Sequence, residues 1–164
     1  MKKYDTYLTK ENMDYWGEKI LRIMSIDRGD VRTGIAVCDK LELLASPVCV
    51  IKESDFDLLI PKLIDQILQL KAEEVVIGYP KNLDGSIGIS AQKSEKLIET
   101  LKKRMPNVNF VLWDERNTTI SAKRALIENN KNSFKQKNII DAVAATIILE
   151  SYMHFKKRKK NNKQ

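Results

Sequence analysis

The chain has 164 residues, 43% hydrophobic and 31% charged, a length that suits one domain and a composition that excludes a disordered or fibrous chain. Its longest apolar stretch, Ile139 to Leu149, is broken by Asp141 and falls short of the ~20 residues of a membrane helix. Tyr4-Asp5-Thr6-Tyr7 stands where a signal peptide would continue apolar after Lys2 and Lys3, so a soluble, intracellular protein is expected. Lys and Arg outnumber Asp and Glu by 29 to 22, and Lys156, Lys157, Arg158, Lys159, Lys160 and Lys163 account for all but one of the net +7 charges. That acid-free run attracts polyanions by phosphate neutralisation and counterion release; its ordinary alternative is a solvated, frayed terminus.

Residues 1–20 show no clear period, although Tyr4, Tyr7, Tyr15 and Trp16 can pack on something. A strand is predicted from Leu21 to Ile26, ending at Asp27. A second runs from about Arg32 to Cys38 and a third from about Leu43 to Ile51, giving an antiparallel meander. Pro47 cannot donate to a ladder, so the third strand belongs at a sheet edge or carries a bulge. Cys38 and Cys49 lie in apolar runs and read as buried thiols rather than a disulfide or a metal pair.

Helical spacing then takes over. Ser54 can cap a helix with an apolar stripe of Leu59, Ile60, Leu63, Ile64, Ile67 and Leu68, in which Pro61 belongs in the first turn or kinks the chain. Glu74 to Gly78 reads as a short buried strand, followed by a turn-rich loop, Tyr79 to Gly88. A helix from about Ser90 to Arg104 and a strand from Asn109 to Trp113 come next. A helix capped by Thr118/Thr119 follows, then a Lys/Asn-rich link, Asn129 to Lys137. A last helix runs from Asn138 to about Phe155, with Ile140, Val143, Ala144, Ile147 and Ile148 facing inward. The lone histidine, His154, excludes a His-rich zinc site and reads as structural. The order βββαβαβαα implies an α/β fold with a mixed sheet and helices on its faces. The domain division is an N-terminal extension, 1–20, a domain, 21–155, and a basic tail, 156–164.

Ligands of a parallel sheet gather beyond the carboxyl ends of its strands. The first strand ends at Asp27, the fifth at Asp114-Glu115-Arg116, and Asp141 is predicted in the first turn of the last helix. Carboxylates converging on one sheet end suit hard divalent cations, and two such ions can bracket a phosphodiester. Each acid also has an ordinary role: Asp27 in a turn, Asp114 or Glu115 beside Arg116, Asp141 at a helix N-terminus. Arg28-Gly29-Asp30 makes a glycine turn through which backbone can approach phosphate, and Asp141 shares a helical face with Ala145 and Ile148.

Four segments in order resemble the YqgF/RuvX family. They are Ile23-Met24-Ser25-Ile26-Asp27-Arg28-Gly29-Asp30-Val31-Arg32-Thr33-Gly34-Ile35-Ala36-Val37, Val76 to Gly85, Leu112 to Arg116, and Asp141 to Leu149. The resemblance implies an RNase H-like fold: a five-stranded mixed sheet in the order 3-2-1-4-5, strand two antiparallel, with helices on both faces. It implies a cytoplasmic metal-dependent endonuclease that helps mature the 5′ end of pre-16S ribosomal RNA, with Mg²⁺ or Mn²⁺ as cofactor and the ribosome as an associate. Other members are regarded as Holliday-junction resolvases acting on branched DNA. The metal-holding carboxylates would be Asp27, Asp141 and an acid ending strand five. Strand alternation sends Asp114 and Glu115 to opposite faces, and the choice stays open with Glu115 slightly favoured. Arg28, Gly29, Arg32, Asn82, Arg116, Lys135 and Lys137 would contact the nucleic acid. Departures from the family pattern are Asp30, where threonine or a similar residue is usual, Asn117 in place of leucine, and residues 1–20. A non-catalytic RNA-binding module remains a further alternative, one domain's length excludes a two-domain actin-like ATPase, and monomer and homodimer are both open.

Overall fold

The computed structural model describes residues 22–114 and 134–162, the side chains of 134–140 excepted. The N-terminal extension and the helix predicted from Thr118/Thr119 lie outside the described residues. Five strands, β1 (Ile23–Arg28), β2 (Arg32–Cys38), β3 (Ala45–Lys52), β4 (Glu74–Tyr79) and β5 (Asn109–Asp114), form one sheet. The helices are α1 (Phe56–Gln69), α2 (Ile89–Arg104) and α3 (Phe134–Asn161). The sheet order is β3-β2-β1-β4-β5, with β1, β4 and β5 parallel and β2 antiparallel to both its neighbours, as the family resemblance implies.

Alternation along each strand divides the core in two. Met24, Ile26, Ile35, Val75, Ile77 and Phe110 pack with Leu59, Leu63, Ile67, Leu97 and Leu101, so α1 and α2 cover one face. Ile23, Ala36, Cys38 and Val76 pack with Ala145, Ile148, Leu149 and Tyr152, so α3 covers the other. β4, central and covered on both sides, is buried at every position, as a parallel strand should be. Because side chains two apart share a face, Asp27 falls with Ile23 and Ser25 on the α3 face. Arg28 falls with Met24 and Ile26 on the α1/α2 face, where Phe110 and Leu112 also place Asp114.

Pro47 meets both of its conditions. β3 is the edge strand, and its register with β2 jumps from Ile35–Cys49 to Ala36–Pro47, leaving Val48 as a bulge. The cap of α1 is Asp55 rather than Ser54. Asp55 has the extended backbone of a cap, and its carboxylate accepts from the amides of Asp57 and Leu58. Pro61 lies one turn further in than predicted, where it removes the amide that would bond the carbonyl of Asp57.

The last helix differs most. α3 starts at Phe134 instead of Asn138 and runs to Asn161 instead of ending near Phe155. Asp141 is therefore about two turns inside it, too deep for the helix dipole to account for that carboxylate. The basic run is helical through Lys160, and its first lysine is anchored. Lys156 Nζ lies 3.1 Å from Glu74 Oε1 and 3.9 Å from Glu42 Oε2, while Asn109 Nδ2 donates to Glu74 Oε2 at 2.9 Å. Burial, with Glu74 adding to it, pushes the neighbouring Tyr152 hydroxyl well above its ordinary pKa. Glu74 is only 7% exposed, so removing its cation leaves a buried carboxylate under-compensated. Lys156→Ala should lower stability by about 1–3 kcal/mol in urea unfolding; an unchanged midpoint would show that the pair is merely a surface contact.

Candidate active site

The two acids from the first strand and the last helix meet through a glycine. Asp27 is the register partner of Gly34 in the β1–β2 ladder. A Cβ on Gly34 would lie 2.0 Å from the carbonyl oxygen of Asp141 and 2.6 Å from its carbonyl carbon. Directly opposed residues of an antiparallel pair have Cα atoms about 4.5–5.5 Å apart and point to the same face. The backbones of Asp27 and Asp141 therefore lie within about 10 Å of each other, on one side of the sheet, at the carboxyl end of β1. Gly34 is absent from the sequence-derived site; the available signal was a glycine inside a strand, which marks close approach of another backbone.

A second contact fixes the helix. Ser25, fully buried, donates its hydroxyl to the carbonyl of Ala145 at 2.7 Å. Arg32, the first residue of β2, shares the α3 face with Gly34, and its Nε donates to Asp141 Oδ2 at 2.7 Å. Both side chains of this pair are about a quarter to a third exposed, so its net stabilisation is of the order of 0–1 kcal/mol. Its larger effect is to hold the Asp141 carboxylate in one orientation and to balance one charge of a two-carboxylate rim. This donor set is carboxylate oxygen without imidazole or thiolate, which suits Mg²⁺ or Mn²⁺ rather than a softer ion. Among the described residues, no three His, Cys, Asp or Glu side chains gather as a metal site.

Among the described residues, Asp114, Arg28, Gly29 and Asn82 do not join this face. Asp114 lies on the α1/α2 side, with its Oδ2 3.7 Å from Lys81 Nζ, and its backbone pairs with that of Tyr79. Tyr79 donates its hydroxyl to Glu95 of α2, which raises the phenol pKa. Asp114 and the Asp27–Asp141 pair therefore lie on opposite sides of the sheet. Arg28 points to the same side as Asp114. Its guanidinium sits 5.4 Å above the Phe56 ring, where burial lowers its pKa against the opposing pull of Asp30.

Gly29 makes room for backbone. A Cβ there would lie 2.5 Å from the carbonyl oxygen of Arg32, to which the Gly29 amide donates at 2.9 Å. Asp30 pairs with Lys93 of α2, which lowers its pKa and neutralises the acid added to this loop. Asn82 is turned into its own loop, donating to Ser86 Oγ at 2.7 Å, while Gly85 takes a positive φ of 87°. Glu115 and Arg116 lie outside the described residues, as do the side chains of Lys135 and Lys137.

A five-stranded mixed sheet in this order, helices on both faces and acids at the carboxyl end of its first strand define the RNase H-like class of nuclease folds. The chain resembles Thermus thermophilus RuvC in complex with Holliday junction substrate, with a TM-score of 0.54 at 12% identity, over 82% of this chain and 96% of that one. It also resembles the Fowlpox virus resolvase bound to Holliday junction DNA, with a TM-score of 0.50 at 14% identity, over 82% and 97% of the two chains. The sequence profile of the RuvX family, described as Holliday junction resolvase, matches residues 21–155. A Halothermothrix orenii protein named as a candidate pre-16S rRNA nuclease is 40% identical over 141 residues, covering 84% of this chain and 98% of that protein. A Staphylococcus carnosus protein of the same name is 38% identical over 134 residues, covering 80% and 94%. The chain belongs to the RuvX family.

Gly34→Ala tests the geometry. A methyl group at 2.0 Å from a carbonyl oxygen must push α3 off β2, lowering stability by about 1–3 kcal/mol. Denaturant midpoints within error of each other would show that the helix does not rest there.

Proposed function

We propose that this protein is a divalent-cation-dependent endonuclease of structured RNA that acts in 5′-end maturation of pre-16S rRNA. The observation carrying this reading is the approach of Asp27 and Asp141 across Gly34 on the α3 face. Its substrate follows from the names of the family relatives. We further propose Glu115 as the third carboxylate. Asp114 faces α2, and a strand sends its next residue to the opposite side.

In this reading Asp27, Asp141 and Glu115 hold the cation, Mg²⁺ or Mn²⁺. When bound, it supplies Lewis-acid activation of water and charge neutralisation at the phosphodiester. Arg32 keeps one oxygen of Asp141 occupied and its charge beside the site, where the scissile phosphate can recruit its remaining donors. Arg116, Lys135 and Lys137 are proposed as further phosphate contacts. Arg28 and Asn82 have structural contacts of their own, with the Phe56 ring and with Ser86. Branched DNA is the second reading, favoured by the family description and by the resolvases that share the fold.

The experiment is cleavage of a labelled pre-16S 5′ leader, beside a four-way DNA junction, with Mg²⁺ and with chelator. Asp27→Asn and Asp141→Asn should each reduce RNA cleavage at least ~100-fold, since even residues that merely orient metal ligands cost 10–100-fold. Asp114→Asn should stay within a few-fold of the unsubstituted protein. Full activity in Asp27→Asn would remove the carboxylate mechanism, and junction cleavage without RNA cleavage would transfer it to DNA.

A further inference from the structure

We propose that the end of α3 is a second nucleic-acid contact, a rigid helical arm whose Lys157, Arg158 and Lys160 grip the phosphate backbone of a duplex about 24 Å from Asp141. The family match ends at residue 155, yet α3 continues unbroken to Asn161. Of its added cations, Lys156 turns to Glu74, while Lys157, Arg158, Lys159 and Lys160 are exposed, Lys159 with its Nζ 4.7 Å from the centroid of the Phe155 ring. No acid follows Glu150 in the chain, so none of them has a carboxylate three or four residues away on its own helix. A solvated face laced by ion pairs looks different. The last turn of α2 shows this: Lys102, Lys103 and Arg104 are also exposed, but Glu99 stands four residues before Lys103.

The spacing identifies the ligand. Sixteen residues of helix at 1.5 Å per residue separate Asp141 from Lys157, about 24 Å. Glu74, the anchor of Lys156, opens β4 opposite Ile23, whereas Asp27 lies at the far end of β1. The arm and the acids therefore lie toward opposite ends of the sheet on the side that α3 covers, with Lys157 turned about 160° around the helix axis from Asp141. A ligand reaching both is an extended polyanion of at least about seven base pairs of B-form duplex at ~3.4 Å each, and more than that in the more compact A-form of RNA. Glu150, exposed between them, restricts contact to the two ends. A membrane surface fits poorly, because the arm offers a single apolar residue, Phe155, and Trp113 covers part of its ring with centroids 5.1 Å apart.

The inference rests on the RNA reading only for the kind of duplex, and its test needs no cleavage. Fluorescence anisotropy in chelator would compare a labelled RNA duplex of about 20 base pairs with a hairpin of about 5. Lys157→Glu/Arg158→Glu/Lys160→Glu should bind the long duplex at least ~10-fold more weakly, with its salt slope reduced by about two to three, one for each phosphate left without its cation. The short hairpin should bind unchanged, and Lys102→Glu/Lys103→Glu/Arg104→Glu, an equal change in charge, should weaken binding less than about 3-fold. Thermal unfolding reports folding, and Lys157→Gln/Arg158→Gln/Lys160→Gln replaces the first variant if it does not fold. Undiminished duplex binding, equal weakening in the α2 and α3 variants, or arm-dependent binding to phosphatidylserine vesicles without an effect on RNA would each overturn the proposal. A variant of Asp27 that no longer cleaves but grips the long duplex through the arm leaves it standing.

Discussion

A helix laid on a sheet normally rides on a layer of side chains, but at Gly34 that layer is missing and the backbone of Asp141 occupies the space. Much else follows from this approach. It seats α3 on β2, it brings Asp141 to the rim where Asp27 stands next to last in its strand, and it leaves Arg32 within reach of the Asp141 carboxylate. Two like charges are thus held together by main-chain geometry, with the Ser25 hydroxyl bonded to Ala145 four residues further along the same helix. A site built on a strand and a helix keeps its geometry better than one built on loops.

The sheet then sorts the charged groups at that rim by side. Asp27, Arg32 and Asp141 lie toward α3. Arg28, Asp30, Lys93, Glu95 and Asp114 lie toward α1 and α2, where Asp30 pairs with Lys93, Glu95 accepts from Tyr79 and Asp114 faces Lys81. Arg28 is the uncomfortable member: its Nε and Nη1 are buried without a hydrogen-bond partner among the described residues. The face of Phe56 offsets part of that burial, and Lys96 shares the ring at 4.4 Å from its centroid. Asp30, unusual for the family, belongs with these residues. It supplies a carboxylate that Lys93 and Arg28 both feel, which keeps the added acid out of the electrostatics of the α3 face.

The match to relatives spans the domain but stops just before the anchored lysine. Glu74 ties three elements together: it belongs to β4, receives Asn109 from β5 and receives Lys156 from α3. The strand-end rim carrying the acids and the opposite rim carrying the basic arm are therefore parts of one stiff frame, with α3 as the member common to both.

The strands, the first two helices and the candidacy of Asp27 and Asp141 were legible without coordinates. Period-two and period-3.6 apolar patterns are local, and so are the donor missing from Pro47 and an acid standing at a strand end. Sequence alternation did not say on which face Asp114 lies; the packing of Phe110 and Leu112 with the α1/α2 cluster decided that. The Arg32–Asp141 pair spans 109 residues and the Lys156–Glu74 pair 82, and no periodicity encodes which distant partner a charge will find. The length of α3 was hidden for a related reason: its ends are lysines and asparagines, polar residues whose helical state is settled by what the middle of the helix packs against and, at Lys156, by a buried carboxylate. Local pattern thus determined the elements and the acids, and long-range backbone contact determined which of those acids meet.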